Sequence, residues 1–298
     1  MFKNILVPLD GSNLSEASLA PTAYLAKTLE SQITLLHIVE QDAPTQVHKE
    51  RHLTRPDEAS AYLKEVAERA FPTKIKVKRH VHTEAVSDVA RSIVDHAPEL
   101  KPDLIVICTH GRSGMRDLLY GSIAQQVVAL GTIPILAIKS KIPSFALKKI
   151  LLPLDPDSMH DNSLGMAESL AKVFKAELHL LSVVPTLSTL GDEQAAAGNI
   201  MPVTTQAYLD LKVENTKKDL QTHIEALHKG HLKAFAEVDR GDPASSIVKA
   251  AENTSIDLII LSTHRRKGMG AFWARSVAPK VAQKTKTPLL LIPLIEGQ

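Results

Sequence analysis

The amino-acid sequence contains one pattern twice, and this repeat constrains the fold more than any other feature. The segment KNILVPLD at residues 3–10 returns as KKILLPLD at residues 148–155, which is 145 positions later. The segment DLIVICTH at residues 103–110 returns as DLIILSTH at residues 257–264, now 154 positions later. Because the order is kept while the offset grows, we predict two copies of one fold, the second of them longer by an insertion.

The length agrees with two domains. A chain of 298 residues corresponds to two domains of about 150 residues each. We place the first domain at residues 1–143 and the second at residues 147–298, with a short connector containing proline and serine between them. Each half carries one more basic than acidic residue, so the net charge of +2 is divided evenly. The two copies are therefore expected to be similar in composition as well as in pattern.

Composition excludes several classes of protein. The balanced charge gives no concentrated basic surface, and aromatic residues are only 4% of the chain, so we expect no nucleic-acid partner. We find no run of about 18 apolar residues, and the apolar run at the N-terminus is short, so we expect no membrane span. The single cysteine excludes an intrachain disulfide. Together these features predict a cytoplasmic globular protein.

Apolar runs and helical patterns alternate within the first copy, which is typical of an α/β fold with a parallel sheet. The predicted strands are residues 5–9, 33–39, 75–82, 104–108 and 135–138. The predicted helices are residues 15–29, 58–70, 88–97 and 122–130. Pro21 is expected to kink the first helix. The polar segment 40–55 is predicted to be irregular, and residues 185–203 of the second copy are predicted to form a long loop.

Residues with binding chemistry lie at the ends of three of the predicted strands, the second of which ends in His37, Ile38 and Val39. In a doubly wound sheet, ligands bind beyond the carboxyl ends of the strands, where Asp10 succeeds the first strand. A loop with Gly111 and Arg112 succeeds the fourth strand and leads to Gly121 and Ser122 at the start of a helix. Glycine-rich backbone, a helix N-terminus and an arginine together suit a phosphate group. Ordinary turn chemistry with a capped helix would also account for the glycines.

Both halves resemble the universal stress protein family, and the whole chain resembles its tandem members. The resemblance rests on the ILVPLDGS segment at residues 5–12 and on the G-x2-G-x9-G-[ST] motif of the ATP-binding members. Gly111, Gly121 and Ser122 match that motif with the right spacing, whereas Cys108 stands at its first glycine. In the second copy Ser262, Arg265 and Arg275 replace all three glycines.

The resemblance implies an open five-stranded parallel α/β sheet, Rossmann-like and similar to adenine nucleotide alpha hydrolases, present twice and packed as an intramolecular pseudo-dimer. Single-domain members resemble dimers joined through their last strands, which implies edge pairing of residues 133–138 with residues 287–292. The second copy is expected to be degenerate and kept for architecture. Binding of another anion by its arginines and lysine is the alternative, through Arg265, Arg266, Lys267 and Arg275.

The resemblance also implies a ligand: ATP, with ADP and AMP as alternatives, and with Mg²⁺ as an accompanying ion. The residues expected to face the adenosine are Pro8, Leu9, Asp10 and Ile38. Those expected near the phosphates are His110, Gly111, Arg112, Gly121, Ser122 and Ile123. The Cys108 side chain is expected to crowd the nucleotide.

The expected function is a stress response exerted through conformation or protein partners. The loop at residues 108–122 has no lysine, and the chain has no Walker-type phosphate loop, so we expect no dedicated enzyme and at most slow ATP hydrolysis. A weak ATPase and a nucleotide-free interaction protein are the two alternatives. Neither the protein partner nor the formation of a homodimer can be deduced from the sequence.

Three further groups of residues suggest chemistry more weakly. His48 with His52, and His80 with His82, have spacings seen in metal sites, but no cysteine or carboxylate cluster completes a set, so no metal site is predicted. Cys108 with His110 resembles a nucleophile and its base, although a buried structural cysteine is the simpler interpretation. Asp103 is expected to cap the chain before its strand.

Overall fold

The computed structural model describes residues 1–43, 46–47, 50–109, 122–139, 145–156, 163–264 and 277–294. The chain forms two compact units. The first contains Met1–Ala146, Thr263–Ser276 and Pro288–Gln298; the second contains Leu147–Ser262 and Val277–Thr287. The domain boundaries at residues 143 and 147 stay a prediction, because residues 140–144 lie outside the described part of the chain.

Strands and helices of the described residues alternate along the chain. The strands are β1 (Asn4–Pro8), β2 (Gln32–Glu40), β3 (Gln46–Val47), β4 (Glu50–Arg51), β5 (Val77–Val86), β6 (Leu104–Thr109), β7 (Ile135–Lys139), β8 (Lys149–Leu154), β9 (Glu177–Val184), β10 (Ala234–Arg240), β11 (Leu258–His264) and β12 (Leu289–Leu294). The helices are α1 (Asn13–Glu16), α2 (Leu19–Leu29), α3 (Pro56–Ala70), α4 (Val89–Asp95), α5 (Ala97–Leu100), α6 (Ser122–Leu130), α7 (Ser163–Phe174), α8 (Asp192–Ile200), α9 (Pro202–Lys229), α10 (Pro243–Asn253) and α11 (Val277–Lys284), with a 3₁₀ turn at Leu187–Thr189.

The first unit is built on a sheet with the strand order β12-β7-β6-β1-β2-β5. Neighbouring strands in it are parallel except for β12, which pairs antiparallel with β7 and places Leu290 opposite Leu136. The predicted α/β fold and the predicted pairing of the last strands of the two copies are therefore confirmed. Strands β3 and β4 form a separate small hairpin within the segment predicted to be irregular.

The second unit is built on parallel strands in the order β10-β9-β8-β11. The cores of both units come from the near-continuous apolar strands: Leu6 and Leu36 are fully buried in the first unit, and Leu152 and Ile259 in the second. Burial on both faces is required of a central parallel strand covered by helices, and it explains why these runs do not alternate with polar residues.

The sequence repeat is also a repeat of hydrogen bonds. The Asp103 carboxylate accepts the backbone N–H groups of Lys3 (2.6 Å) and Asn4 (2.9 Å), which ties the start of β1 to the start of β6. Asp257 accepts the N–H groups of Lys148 and Lys149 in the same way, at 2.8 and 2.9 Å. Asp103 therefore has a structural role, but it caps the start of β1 rather than the chain before its own strand, and Asp257 acts in the same way in the second copy.

Two predictions about local structure are wrong. The segment 15–29 is not one kinked helix: the chain breaks at Ala17 and Ser18, and Pro21 lies in the first turn of α2, where a missing N–H costs nothing. Residues 185–203 are not a loop, because they form the 3₁₀ turn, α8 and the start of α9. The extra residues of the second copy thus build helix.

Candidate functional site

The direction in which the chain crosses the first sheet changes at β1. The chain leaves β1 for β2 on one side, whereas β6 lies on the other side and is reached later, from β5. Because β1 and β6 are parallel, both end at the same edge of the sheet. A reversal of this kind leaves a crevice beyond the carboxyl ends of the two strands, which is where open α/β sheets bind ligands. Asp10 lies just after β1 at this edge, and Cys108 lies near the end of β6.

The Asp10 carboxylate is held in place by its own turn. Its Oδ1 atom accepts the backbone N–H of Ser12 (2.9 Å) and the Ser12 hydroxyl (2.6 Å). Ser12 is buried and in turn caps α1 by accepting the N–H of Ser15 at 3.2 Å. The half-buried carboxylate is therefore fixed by the first turn of α1 at the end of the strand.

Gly11 is required in this turn for two reasons. Its φ angle of +90° is one that residues with side chains rarely adopt. A Cβ atom at this position would also lie 2.8 Å from the Cγ and Cδ1 atoms of Leu53. The segment before α3 thus packs directly against the turn after β1, and only glycine permits that approach.

His37 joins the same two segments. Its ring is buried, with Nδ1 2.8 Å from the Leu9 carbonyl oxygen and Nε2 3.0 Å from the Leu53 carbonyl oxygen. Burial lowers the pKa of His37, although both carbonyl contacts act in the opposite direction. A neutral imidazole has a single N–H and donates to only one of the two oxygens. The sequence places His37 at the end of the second predicted strand but gives no sign of its two carbonyl contacts.

Cys108 is half-buried, and its thiol resists ionisation. Burial, with the nearby Asp10 carboxylate as a second cause, raises the pKa of its thiol to about 12. Such a thiol holds almost no thiolate at neutral pH, so it does not suit a nucleophile, and a structural cysteine is the better interpretation. Lys139, at the end of β7, lies close enough to act on this thiol, and burial lowers the pKa of its amine. Lys139 belongs to none of the motifs in the sequence.

The remaining predicted contacts divide into three groups. Pro8 is half-buried, and Leu9 and Ile38 are buried, so the end of β1 and its neighbour on β2 are apolar and largely covered. Ser122 is the first residue of α6, and Ile123 beside it is 38% exposed. The third group lies outside the described residues and consists of His110, Gly111, Arg112 and Gly121.

The second copy keeps the supporting hydrogen bonds but changes the site. Ser182 stands where the first copy has His37, and its hydroxyl donates to the Leu154 carbonyl at 2.9 Å. Thr109 donates to Ile138 at 3.1 Å in the first copy, as Thr263 donates to Ile292 at 3.3 Å in the second. The second copy thus retains these structural bonds. Its cations Arg265, Arg266, Lys267 and Arg275 lie outside the described residues.

A helix that crosses a bilayer must be both long and apolar. Among the described residues, no helix is both long enough and apolar enough to cross a membrane.

Comparison with known proteins gives the family. The model of the universal stress protein family matches residues 1–139 and again residues 146–293. Half of the chain is similar to a universal stress protein of Synechocystis sp., with 32% identity over 138 residues that cover 46% of this chain and 86% of the relative. A universal stress protein of Methanocaldococcus jannaschii is 28% identical over 144 residues, covering 47% of this chain and 83% of the relative.

A solved structure resembles the whole chain. The crystal structure of a universal stress protein from Archaeoglobus fulgidus matches with a TM-score of 0.73 and 17% identity, covering 98% of this chain and 99% of that chain. At this identity the match concerns the fold alone. The family model covers both copies and nearly every residue. The chain therefore belongs to the universal stress protein family, as a member with two tandem domains.

Proposed function

We propose that this universal stress protein binds ATP, or a related adenine nucleotide, at the carboxyl ends of β1 and β6 in its first copy. One observation carries the proposal: the Asp10 carboxylate is fixed by Ser12 at the point where the sheet changes direction. A fixed carboxylate beside the apolar residues Pro8, Leu9 and Ile38 suits a nucleoside. Sugar hydroxyls and the adenine amino group donate hydrogen bonds, and the adenine ring needs apolar contact.

The residues around this edge of the sheet have the chemical types that a nucleotide-binding site needs. Asp10 would accept hydrogen bonds from the nucleoside, and Pro8, Leu9 and Ile38 would contact its apolar surface. The glycines of the loop after β6 would offer backbone N–H groups to the phosphates, and Arg112 would offset their charge. Lys139 supplies a second cation near the end of β6, since it lies close to Cys108. Mg²⁺ would be held chiefly by the phosphates and water.

The proposed role is binding rather than turnover, so that occupancy of the first copy changes the surface offered to a partner. Phosphoryl transfer requires a group that positions the attacking water and groups that hold a metal ion. Asp10 already accepts two hydrogen bonds from Ser12 and lies after the strand expected to face the nucleoside. Slow hydrolysis of bound ATP is the most that this arrangement supports.

Titration calorimetry of the full chain with ATP, ADP, AMP and GTP, with and without Mg²⁺, tests the proposal. Asp10→Ala is expected to weaken ATP binding by about 10-fold or more, because it removes charge-assisted hydrogen bonds. Asp155→Ala is the matched control, since Asp155 holds the same place after β8 in the second copy, and it is expected to bind ATP like the wild type.

Two results would overturn the proposal. One is a wild-type chain that shows no heat of binding with millimolar adenine nucleotide. The other is equal affinity in the Asp10→Ala and Asp155→Ala variants. Release of phosphate at steady state, lost in both Asp10→Ala and Gly121→Ala, would instead favour the weak ATPase.

A further inference from the structure

A cluster of side chains of metal-ligating types lies at the outer edge of the first sheet, on β5 and on the helical corner beside it. His80 and His82 are two residues apart on the edge strand β5 and therefore point to the same face. His96 lies between α4 and α5, and Glu99 lies in α5. The fold thus brings a strand and a helical corner together, although about 15 residues separate them along the chain.

The distances within the cluster are short. The His96 ring centroid lies 4.9 Å from that of His80 and 4.9 Å from that of His82. Nδ1 of His80 lies 4.0 Å from Oε1 of Glu99. One ligand atom each from His80, His96 and Glu99 can be chosen so that all three lie within 4.8 Å of one another.

The His96 ring is already oriented for a metal ion. It is buried, and its Nδ1 is 2.7 Å from the Ser92 carbonyl oxygen one helical turn earlier. A carbonyl only accepts, so Nδ1 carries the proton, and in the neutral ring the lone pair is then on Nε2. This is the arrangement of metal-ligating histidines, whose second nitrogen donates to a carbonyl or carboxylate and so fixes the tautomer.

The charges around the cluster also suit a metal ion. Histidine binds metal through its neutral imidazole, and Glu99 adds a carboxylate with a negative charge. Without a metal ion the three imidazoles stabilise one another little. A divalent cation would be a shared partner for the imidazole nitrogens and the Glu99 carboxylate.

We propose that His80, His96 and Glu99 form a binding site for a zinc-class divalent ion, with His82 or water as the fourth ligand. Two imidazoles and a carboxylate are a ligand set that Zn²⁺ uses. Ligand atoms in a tetrahedral zinc site are about 3.4 Å apart, so the cluster must contract by about 1 Å. The Glu99 side chain is 65% exposed and has the freedom to close onto the ion.

The second copy provides an internal contrast. Its edge strand β10 contains no histidine, and the residues aligned with His96 and Glu99 at the offset of 154 are Ala250 and Asn253. The proposed site therefore belongs to the first copy alone. It shares no proposed ligand residue with the nucleotide site, although His82 lies opposite Ile38 in the sheet, so each site is tested with its own variants.

Cobalt absorption and zinc calorimetry on the full chain test the proposal. Co²⁺ is expected to give the visible d–d bands of a tetrahedral site, at one ion per chain, and excess Zn²⁺ is expected to bleach them. His80→Gln and His96→Gln are each expected to weaken Zn²⁺ binding by about 10-fold or more. Glu99→Gln is expected to weaken it to a smaller degree. His179→Gln is the control, because His179 pairs with Glu177 at 3.4 Å in the second copy and belongs to no metal-ligating cluster among the described residues.

The outcomes separate clearly. A chain that gives no tetrahedral cobalt spectrum, or whose Zn²⁺ affinity is the same in the wild type and in His80→Gln, overturns the proposal. His80 and Glu99 are partly exposed, so their variants remain informative even where the buried His96→Gln variant fails to fold. Retention of zinc binding in His179→Gln, together with its loss in His80→Gln, supports it.

Discussion

The environment of Cys108 suppresses the ionisation of its thiol. With a pKa of about 12, the thiolate fraction at pH 8 is about 10³-fold smaller than that of an ordinary cysteine. We therefore expect iodoacetamide to label the native protein at least 100-fold more slowly than the protein unfolded in guanidinium. The chain has one cysteine, so mass spectrometry reports on Cys108 alone. Equal labelling rates in the two states would contradict the burial of this side chain.

His37 should make stability depend on pH. Its pKa is lower in the folded state than in the unfolded chain, so the unfolded chain binds the proton more tightly. The contribution of neutral, buried His37 to the free energy of unfolding is fully present above about pH 6.5, and it is lost as the pH falls through the pKa of the folded state. The free energy of unfolding is therefore expected to drop on going from pH 7.5 to pH 5.

His37→Ser tests this assignment, because Ser182 shows that serine makes the equivalent hydrogen bond in the second copy. The variant is expected to lose less free energy of unfolding than the wild type over the same pH range, measured by urea denaturation. His80 and His179 also have lowered pKa values and act with the same sign, so the difference between the two proteins is the quantity to compare. Parallel pH profiles would rule out His37 as a contributor.

At the scale of residues, the sequence predicts which side chains lie at the end of a strand, but it misses contacts between distant segments. Asp10 and Cys108 could be found because ligands bind where parallel strands end. Lys139 belongs to no motif and reaches Cys108 only because β7 pairs with β6. His96 and Glu99 likewise join His80 only through the packing of a helical corner against an edge strand. Spacing along one segment shows none of these contacts.

At the scale of elements, the two matched aspartates before β6 and β11 offer a paired test. Each carboxylate accepts two backbone N–H groups at the start of the first strand of its own copy. Asp103→Ala and Asp257→Ala are each expected to cost about 1–3 kcal/mol in free energy of unfolding, because two donors lose their acceptor. Urea denaturation measures both. A cost below about 0.5 kcal/mol in both variants would show that water replaces the carboxylates.

The elements that sequence reasoning predicted well are those with a clear apolar pattern. The helix at residues 122–130 and the five strands of the first copy all fall within a few residues of their observed bounds. The segment 185–203 was misread because its glycines and prolines suggest turns. In the structure Gly191 precedes α8, the alanines lie inside it, and Pro202 begins α9, where proline is well tolerated. Position within the helix, rather than composition, decides the effect of these residues.

At the scale of the whole molecule, the repeats in the sequence and the compact units are not the same. The last strand of the second copy, β12, belongs to the first unit, where it covers the edge of β7. An uncovered β7 would expose unpaired backbone groups, which native proteins avoid. The repeat alone could not predict this pairing, since both copies carry the same last strand. The family resemblance supplied it, and the register in the structure makes it testable.

A double-mutant cycle between Leu136 and Leu290 tests that register. The two residues are directly opposite in the antiparallel pair, and both are buried. Each leucine-to-alanine change is expected to cost about 2–5 kcal/mol. Because opposed side chains contact each other, the double variant is expected to deviate from the sum by about 0.5–1 kcal/mol.

The control for this cycle is Leu136→Ala combined with Ile33→Ala on β2. Strand β2 is three strands from β7 in the same sheet, a separation of about 14 Å, so these two costs are expected to add within about 0.5 kcal/mol. Additivity in both cycles, measured by urea denaturation, would mean that Leu136 and Leu290 do not touch. In that case β12 would not cover β7, and the edge of the first sheet would have to be protected in another way.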